Sequence, residues 1–263
     1  LTVSCGGKGL NQSIALARAG ASVIHAGKVG TDGALLLDAL RDSGVDVSLV
    51  ACDSRTPTGH AIIQVEKGGQ NSIILFPGAN GAIGQEDIAR TLDACHPGDV
   101  LLLQNEISGM ARIIALAREK GLYIVLNPSP MDAQLMECGL EQIDLFLLNE
   151  IEGRMLSGQS EPEKILDTLL TRYPRAKVVL TLGEQGAWYA SGTQRIYQGS
   201  FACTVVDTTA AGDTFTGYFL AAYLSGNTPQ DSMRRGAKAA SLAIGKQGAA
   251  ASIPLKQDVD AAL

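Results

Sequence analysis

Cysteine and histidine are scarce in this 263-residue chain, and neither is grouped. The five cysteines, Cys5, Cys52, Cys95, Cys138 and Cys203, form no CxxC pair and no Cys/His ligand spacing, and their odd number argues against a disulfide framework. They read as reduced thiols of a cytoplasmic protein and are assigned no chemistry. His25, His60 and His96 lie on unrelated segments, which excludes a histidine-based metal cluster; all three read as structural or surface groups. Positive charge is not in excess. With 21 Lys and Arg against 27 Asp and Glu the formal charge is -6, so no basic face is offered to nucleic acid. No apolar run approaches the roughly 18 residues of a membrane span. Partners are expected to be small molecules or other subunits. Two phosphate-binding signatures are also missing: no GxxxxGK[ST] can be drawn through Gly6, Gly7, Lys8 and Gly9, and GxGxxG fails at Gln12. The strand expected over residues 22–26 ends without the acidic residue a dinucleotide ribose needs, which argues against a Rossmann oxidoreductase. The start, Leu1-Thr2-Val3, has neither an initiator Met nor a signal-peptide pattern, so the chain is expected to be N-terminally incomplete.

With 46% hydrophobic residues, the chain can bury a large core as one α/β domain over residues 1–263. Residues 205–217, VVDTTAAGDTFTG, organise the rest. Thr204 to Val206 read as the end of a strand, and Phe215, Phe219, Ala222 and Tyr223 follow at helical spacing up to Gly226. Between them, Ala210, Ala211 and Gly212 have almost no side chain, so a ligand can reach the first N–H groups of the helix, an anion site. Asp213 sits just inside it. Either it is an acid favoured by the helix dipole, or it accepts a proton from an attacking hydroxyl.

Residues 4–11, SCGGKGLN, open another helix, with Ile14, Ala15, Leu16 and Ala17 on its apolar face and Gly20 at its end. On spacing alone this is a glycine turn or a close-approach loop. Residues 58–76 alternate apolar and polar positions around Lys67-Gly68-Gly69 and predict a β-hairpin. From Asp99 onward, apolar runs at 100–104, 123–127, 145–149 and 178–182 alternate with helical patterns, which predicts a parallel sheet covered on both faces. Ligands bind at the carboxyl ends of such strands, where Glu106, Asn127, Asn149, Glu152 and Gly183 are placed to converge. Asn149 and Glu152 are equally suited to cap a helix. The alternating aromatics of WYASGTQRIY, residues 188–197, fit a small hairpin better than a base-stacking cluster.

DTTAAGD at residues 207–213 resembles the second signature of the ribokinase family, the wider sugar kinase family that includes fructokinases and adenosine kinases, with Ala210 where many members carry Gly. GGKGLNQSIALARAG, residues 6–20, is similar to its first signature, with Ser13 where that pattern has its first Ala. QNEIS, NPSP, NEIE and TLGEQG extend the likeness along nearly the whole chain. The resemblance implies a three-layer, Rossmann-like (ribokinase-like) α/β fold with a small β lid, of which the hairpin at 58–76 would be a part. It implies Asp213 as catalytic base, with Ala210, Ala211 and Gly212 forming the anion hole. It places Gly7, Lys8, Gly9, Asn11 and Glu106 on the sugar. It places Asn149, the strand and turn of Thr181, Leu182, Gly183, Glu184, Gln185 and Gly186, and also Gly212 and Ala237, on ATP. Glu152 would organise the water shell of magnesium, while Asp207, Thr209, Ala243, Lys246, Gly248 and Ser252 would surround potassium. The implied activity is ATP-dependent phosphorylation of the primary hydroxyl of a sugar, with ribose expected and a fructokinase-like, deoxyribose, nucleoside or pseudouridine kinase as alternative. A catalytically idle sugar or nucleotide sensor is the reading from another class. A homodimer through the lid is expected.

Overall fold

The computed structural model describes residues 3–65 and 71–263. The first helix, α1 (Lys8–Arg18), starts at Gly7, whose φ of 107° is a backbone state that side chains rarely adopt. It buries Leu10, Ile14, Ala15 and Leu16, and with them two polar residues, Asn11 and Gln12. Strand β1 (Ile24–Gly30), helix α2 (Ala34–Asp42) and strand β2 (Asp46–Asp53) follow, and β2 lies parallel to β1 in a separate two-stranded sheet. The expected hairpin is present as antiparallel β3 (His60–Val65) and β4 (Asn71–Phe76), in register from His60 opposite Phe76 to Val65 opposite Asn71. Its expected turn, Lys67-Gly68-Gly69, lies outside the described residues. The root is fixed by Asp32, whose Oδ1 accepts from Thr58 N at 2.9 Å and Thr58 Oγ1 at 2.6 Å. A 3-10 turn, Gly78–Ala82, leads into α3 (Gln85–Asp93).

The remainder is built on one six-stranded sheet. Strand β5 (Val100–Gln104), α4 (Met110–Glu119), β6 (Tyr123–Asn127), β7 (Leu145–Asn149), α5 (Glu150–Ser157), α6 (Pro162–Arg172) and β8 (Lys177–Thr181) precede the hairpin β9 (Ala187–Ser191) and β10 (Gln194–Gln198). Helices α7 (Ala211–Leu224), α8 (Pro229–Ile244) and α9 (Lys256–Ala262) complete the chain. The six strands are ordered β10-β9-β8-β7-β6-β5. β5 to β8 are parallel, as their continuous apolar runs predict, while β9 and β10 add an antiparallel edge. Successive residues in each strand point to opposite faces, which produces two cores. Ile124, Leu126, Phe146 and Leu148 pack under α3 to α6 with Ile114, Leu166 and Leu169; Val125, Leu145, Leu147 and Val179 pack under α1, α7 and α8 with Phe215, Phe219 and Met233. The result is the expected three-layer α/β arrangement. On the second face α7 lies against α1 so closely that a Cβ added at Gly217 would come within 2.4 Å of Ala15 Cβ.

One sequence expectation fails here. Residues 204–206 form no strand. The N–H groups of Val206 and Asp207 bond to Ile244 O at the end of α8, at 2.9 and 3.1 Å, and Val205 and Val206 stay exposed. β-branched residues favour extended backbone, and the extended backbone here met a helix terminus instead of a strand edge. No helix among the described residues is long and apolar enough to cross a membrane.

Candidate active site

The parallel strands end where α7 begins. Ala210, in the left-handed region at φ 60°, turns the chain into α7, and the N–H groups of Gly212 and Asp213 have no backbone acceptor among the described residues. Those amides and the helix dipole make the spot attractive to an anion. A cleft of about 250 Å³ opens in front of them. Its wall contains Lys8 from α1, Asn127 at the end of β6 and Ser129 after it, Asn149 and Glu152 from the β7–α5 junction, Thr181 at the end of β8, and residues 210–213.

Asp213 is 8% exposed and anchored from across the molecule. Its Oδ2 accepts from Asn11 Nδ2 at 2.9 Å and its Oδ1 from Gln12 Nε2 at 2.8 Å. Burial raises its pKa above the ordinary carboxylate range; the two amide donors and the charge of Lys8 oppose that rise. Glu106 accepts from the backbone N–H of Lys8 at 3.0 Å. Its pKa is also raised, chiefly by burial and slightly by the negative charge of Asp213, against the N–H and charge of Lys8. The two carboxylates thus flank the start of α1. Gly9 lies there too: a Cβ would stand 3.2 Å from Gln104 Oε1 and 3.6 Å from His25 Cε1. Asn11 Oδ1 and Thr214 Oγ1 are buried without a hydrogen-bond partner. An orphaned acceptor beside a buried carboxylate is a natural seat for a hydroxyl.

At the other end of the cleft, Asn149 caps α5: its Oδ1 accepts from Ile151 N and Glu152 N, both at 2.9 Å. Glu152 returns the bond, accepting from Asn149 N at 3.0 Å and Nδ2 at 3.1 Å. The capping role foreseen for this pair is realised, and the same two side chains line the cleft. The Asp207 carboxylate joins two loops, accepting from Thr209 N at 2.9 Å and Oγ1 at 2.6 Å and from Gly248 N at 2.9 Å. The Thr209 hydroxyl, then the Gly248 and Thr209 amides, hold its pKa below the ordinary value. Ser252 is buried and donates to Ala249 O at 2.8 Å, while Lys246 N bonds to Ala243 O at 3.0 Å. No group of three or more His, Cys, Asp or Glu side chains able to hold a metal occurs among the described residues.

Not every expected residue reaches the cleft. Leu182 and Ala237 are buried in the two cores, so their side chains face hydrophobic neighbours and not a ligand. Gly183, Glu184, Gln185 and Gly186 also stand outside the cleft wall. Gly186 has a structural reason to be glycine, since at φ 94° a Cβ would come within 2.1 Å of Gln198 O. Glu184 O and Gln185 O accept from Ser200 Oγ and Tyr197 Oη. The residue that sequence reasoning missed is Gln12, 1% exposed and bonded to Asp213. A signal existed: Gln12 and Asn11 lie one turn ahead of Leu16 and Ala15, on the buried stripe of α1.

With this geometry established, comparison with known proteins is informative. The family model described as pfkB family carbohydrate kinase matches residues 1–256. Ribokinase from Staphylococcus aureus (strain COL) is 36% identical over 264 residues, covering 97% of this chain and 86% of that protein. Ribokinase from Haemophilus influenzae is 34% identical over 266 residues with the same coverage. The solved structure of Arabidopsis thaliana ribokinase complexed with ribose and ATP superposes with a TM-score of 0.87 at 31% identity, covering 99% of this chain and 90% of that one.

Proposed function

The chain belongs to the pfkB family of carbohydrate kinases, and from that premise we propose that it transfers the γ-phosphoryl group of ATP to the primary hydroxyl of D-ribose, giving ribose 5-phosphate. The observation that carries the reading is Asp213, a buried carboxylate with neutral donors, set at the mouth of an anion-binding helix terminus. Asp213 takes the proton of the sugar hydroxyl as its oxygen attacks the γ-phosphorus, and the leaving ADP oxygen departs in line. The free amides of Gly212 and Asp213, at the turn made by Ala210 and Ala211, face the charge that develops on the transferring group. The start of α1, with Gly7, Lys8, Gly9 and Asn11, and Glu106 opposite it receive the sugar hydroxyls. Asn149, Thr181 and the turn at 182–186 face the nucleotide, the turn through its backbone.

Magnesium bound to the ATP phosphates would neutralise charge on the transferring group. Glu152 and Asn149 fit a water-mediated role toward it, since an acceptor-only carboxylate on the cleft wall suits a hydrated hard cation and no all-carboxylate cage is present among the described residues. The loops at 207–209 and 243–252 supply one carboxylate, hydroxyls and backbone carbonyls, a donor set that suits potassium, and they adjoin the anion hole. Ile62, Ile74, Leu75 and Phe76 expose apolar surface on the hairpin, which supports a homodimer formed lid to lid. A cytoplasmic location accords with the scattered cysteines.

The test is turnover of purified protein with Mg-ATP and a sugar panel, read by 31P NMR. A ribose-dependent 5-phosphate resonance is expected. Faster turnover of deoxyribose, fructose or a nucleoside would reassign the substrate, and no phosphorylated product from any of them would overturn the kinase assignment.

A further inference from the structure

The amides behind Asp213, Gln12 buried and Asn127 and Gln104 half-buried, form a chain in which each orientation is dictated by the next. It starts at a backbone carbonyl, Leu147 O on β7, which can only accept; Asn127 Nδ2 donates to it at 2.8 Å. Asn127 Oδ1 is thereby aimed at Gln12, whose Nε2 donates to it at 3.0 Å and to Asp213 Oδ1 at 2.8 Å. From the other side, Gln104 Nε2 donates to Gln12 Oε1 at 2.6 Å. A reversed Gln12 carboxamide would set its oxygen against the oxygens of Asn127 and Asp213 and its NH2 against the NH2 of Gln104. Three contacts therefore select one orientation, with the donor toward the carboxylate. Gln12 is 1% exposed and, unlike Asn127, lines no part of the cleft, so its own contacts are not needed to bind a ligand directly.

We infer that Gln12, oriented by Gln104 and Asn127, is a positioning residue for phosphoryl transfer: it fixes the rotamer of Asp213 and keeps the carboxylate ionised until the sugar hydroxyl arrives. The inference rests on Asp213 being the base in the kinase reading above. The physical need for it is clear. A carboxylate this deeply buried favours its neutral form, and a protonated Asp213 takes no proton from a hydroxyl. The groups facing it are few. Asn11 and Gln12 donate from α1, the Lys8 ammonium acts from the same helix, and Glu106 adds a like charge from the loop after β5. Asn11 holds Oδ2 and leaves its own buried Oδ1 unpartnered, whereas Gln12 is satisfied on both ends by protein alone. Gln12 is thus the fixed donor of the two.

The experiment is a carboxyl 13C NMR titration of Asp213 in ligand-free protein, with the resonance identified by its loss in Asp213→Asn, alongside the pH profile of kcat/KM. Gln12→Met keeps the volume and removes the donor. The Asp213 midpoint is expected to rise by about one pH unit, the acid limb of kcat/KM to follow it, and kcat to fall at least about tenfold with KM for ATP unchanged. Gln104→Met, further from the carboxylate, should shift the midpoint in the same direction by less. A folded Gln12→Met protein with an unmoved midpoint overturns the inference; if that variant does not fold, an unmoved midpoint in Gln104→Met does the same. A wild-type protein that phosphorylates no sugar, with a midpoint that still moves on Gln12→Met, would remove the kinase reading and leave the role of Gln12 in holding Asp213 ionised supported.

Discussion

Two aspartates sit at opposite ends of the same sheet and are treated in opposite ways. Asp144, just before β7 at the amino end, accepts from Arg118 Nη2 at 2.7 Å and from Ile124 N at 2.8 Å, with Arg175 Nη2 at 3.7 Å. Asp213, at the carboxyl end, is more deeply placed, yet no Lys or Arg nitrogen among the described residues comes within ion-pair distance of it. It has two carboxamides instead. A carboxylate with an adjacent guanidinium is a poor base, because the cation stabilises the charged form it must give up. One supported by neutral donors keeps its appetite for a proton, and the protein carries the cost of burying it. The pairing of these two carboxylates therefore separates the brace from the proposed base better than their burial does.

Substitution at each end should break this comparison in a different observable. The largest effect belongs to Asp213→Asn, which should lower kcat by about 10²- to 10⁴-fold with ATP affinity within a few-fold, by coupled assay and calorimetry. A rate within threefold of wild type would remove Asp213 as the base. Asp144→Asn should do the reverse. Left without its counter-charge, Arg118 is stranded in a partly buried position, and urea unfolding should show a loss of about 2–4 kcal/mol while turnover per folded molecule is kept.

His25 sharpens the comparison with a base in place of an acid. Its Nδ1 meets only the Ser13 hydroxyl, at 2.8 Å, and burial lowers its pKa to about 4. A depressed value means that stability is complete above the ordinary histidine range near pH 6.5 and is lost as pH falls from there through pH 4, because the unfolded chain takes up the proton first. The loss should reach at most about 3 kcal/mol. Urea midpoints measured across that window should slope for wild type and flatten in His25→Gln; equal slopes would show that His25 is not the titrating group. The smallest effect concerns Asp207. KCl should stimulate turnover several-fold more than NaCl at equal ionic strength, and equal stimulation by both would remove the cation site from the 207–252 loops.

Much of this was legible in the chain, for identifiable reasons. The strands β5 to β8 are buried on both faces and so announce themselves as unbroken apolar runs, and the hairpin at 58–76 shows by alternation. Strand β2, by contrast, interleaves exposed Asp46, Ser48 and Cys52 with half-buried residues, and its apolar run at 49–52 is too short to separate a strand from a helical segment. Residues 204–206 have strand-forming side chains but lack a strand to pair with, which sequence does not display. The loops that line the cleft are written in glycine and short polar motifs. Gln12 is different in kind: its partner Asp213 is 201 residues away in sequence, so its meaning exists only once the helices α1 and α7 have packed.

That packing reaches beyond contact. At Gly217 the backbone of α7 rests on Ala15, with 2.8 Å from the position of an added Cβ to Leu16 N. At this crossing only the Ala15 methyl separates the two backbones, which holds the helices at close range. Lys8 and Asn11 ride on the first turn of one with Gln12 just after it, Asp213 on the first turn of the other, and Lys8 and Asp213 both line the cleft. The distance from Asp213 to the side chains at the start of α1 is accordingly machined into the fold, like two jaws cut from one block. With Asp213 as the proposed base, its alignment with the hydroxyl comes with the folding of the chain, and an arriving sugar has only its own freedom to surrender.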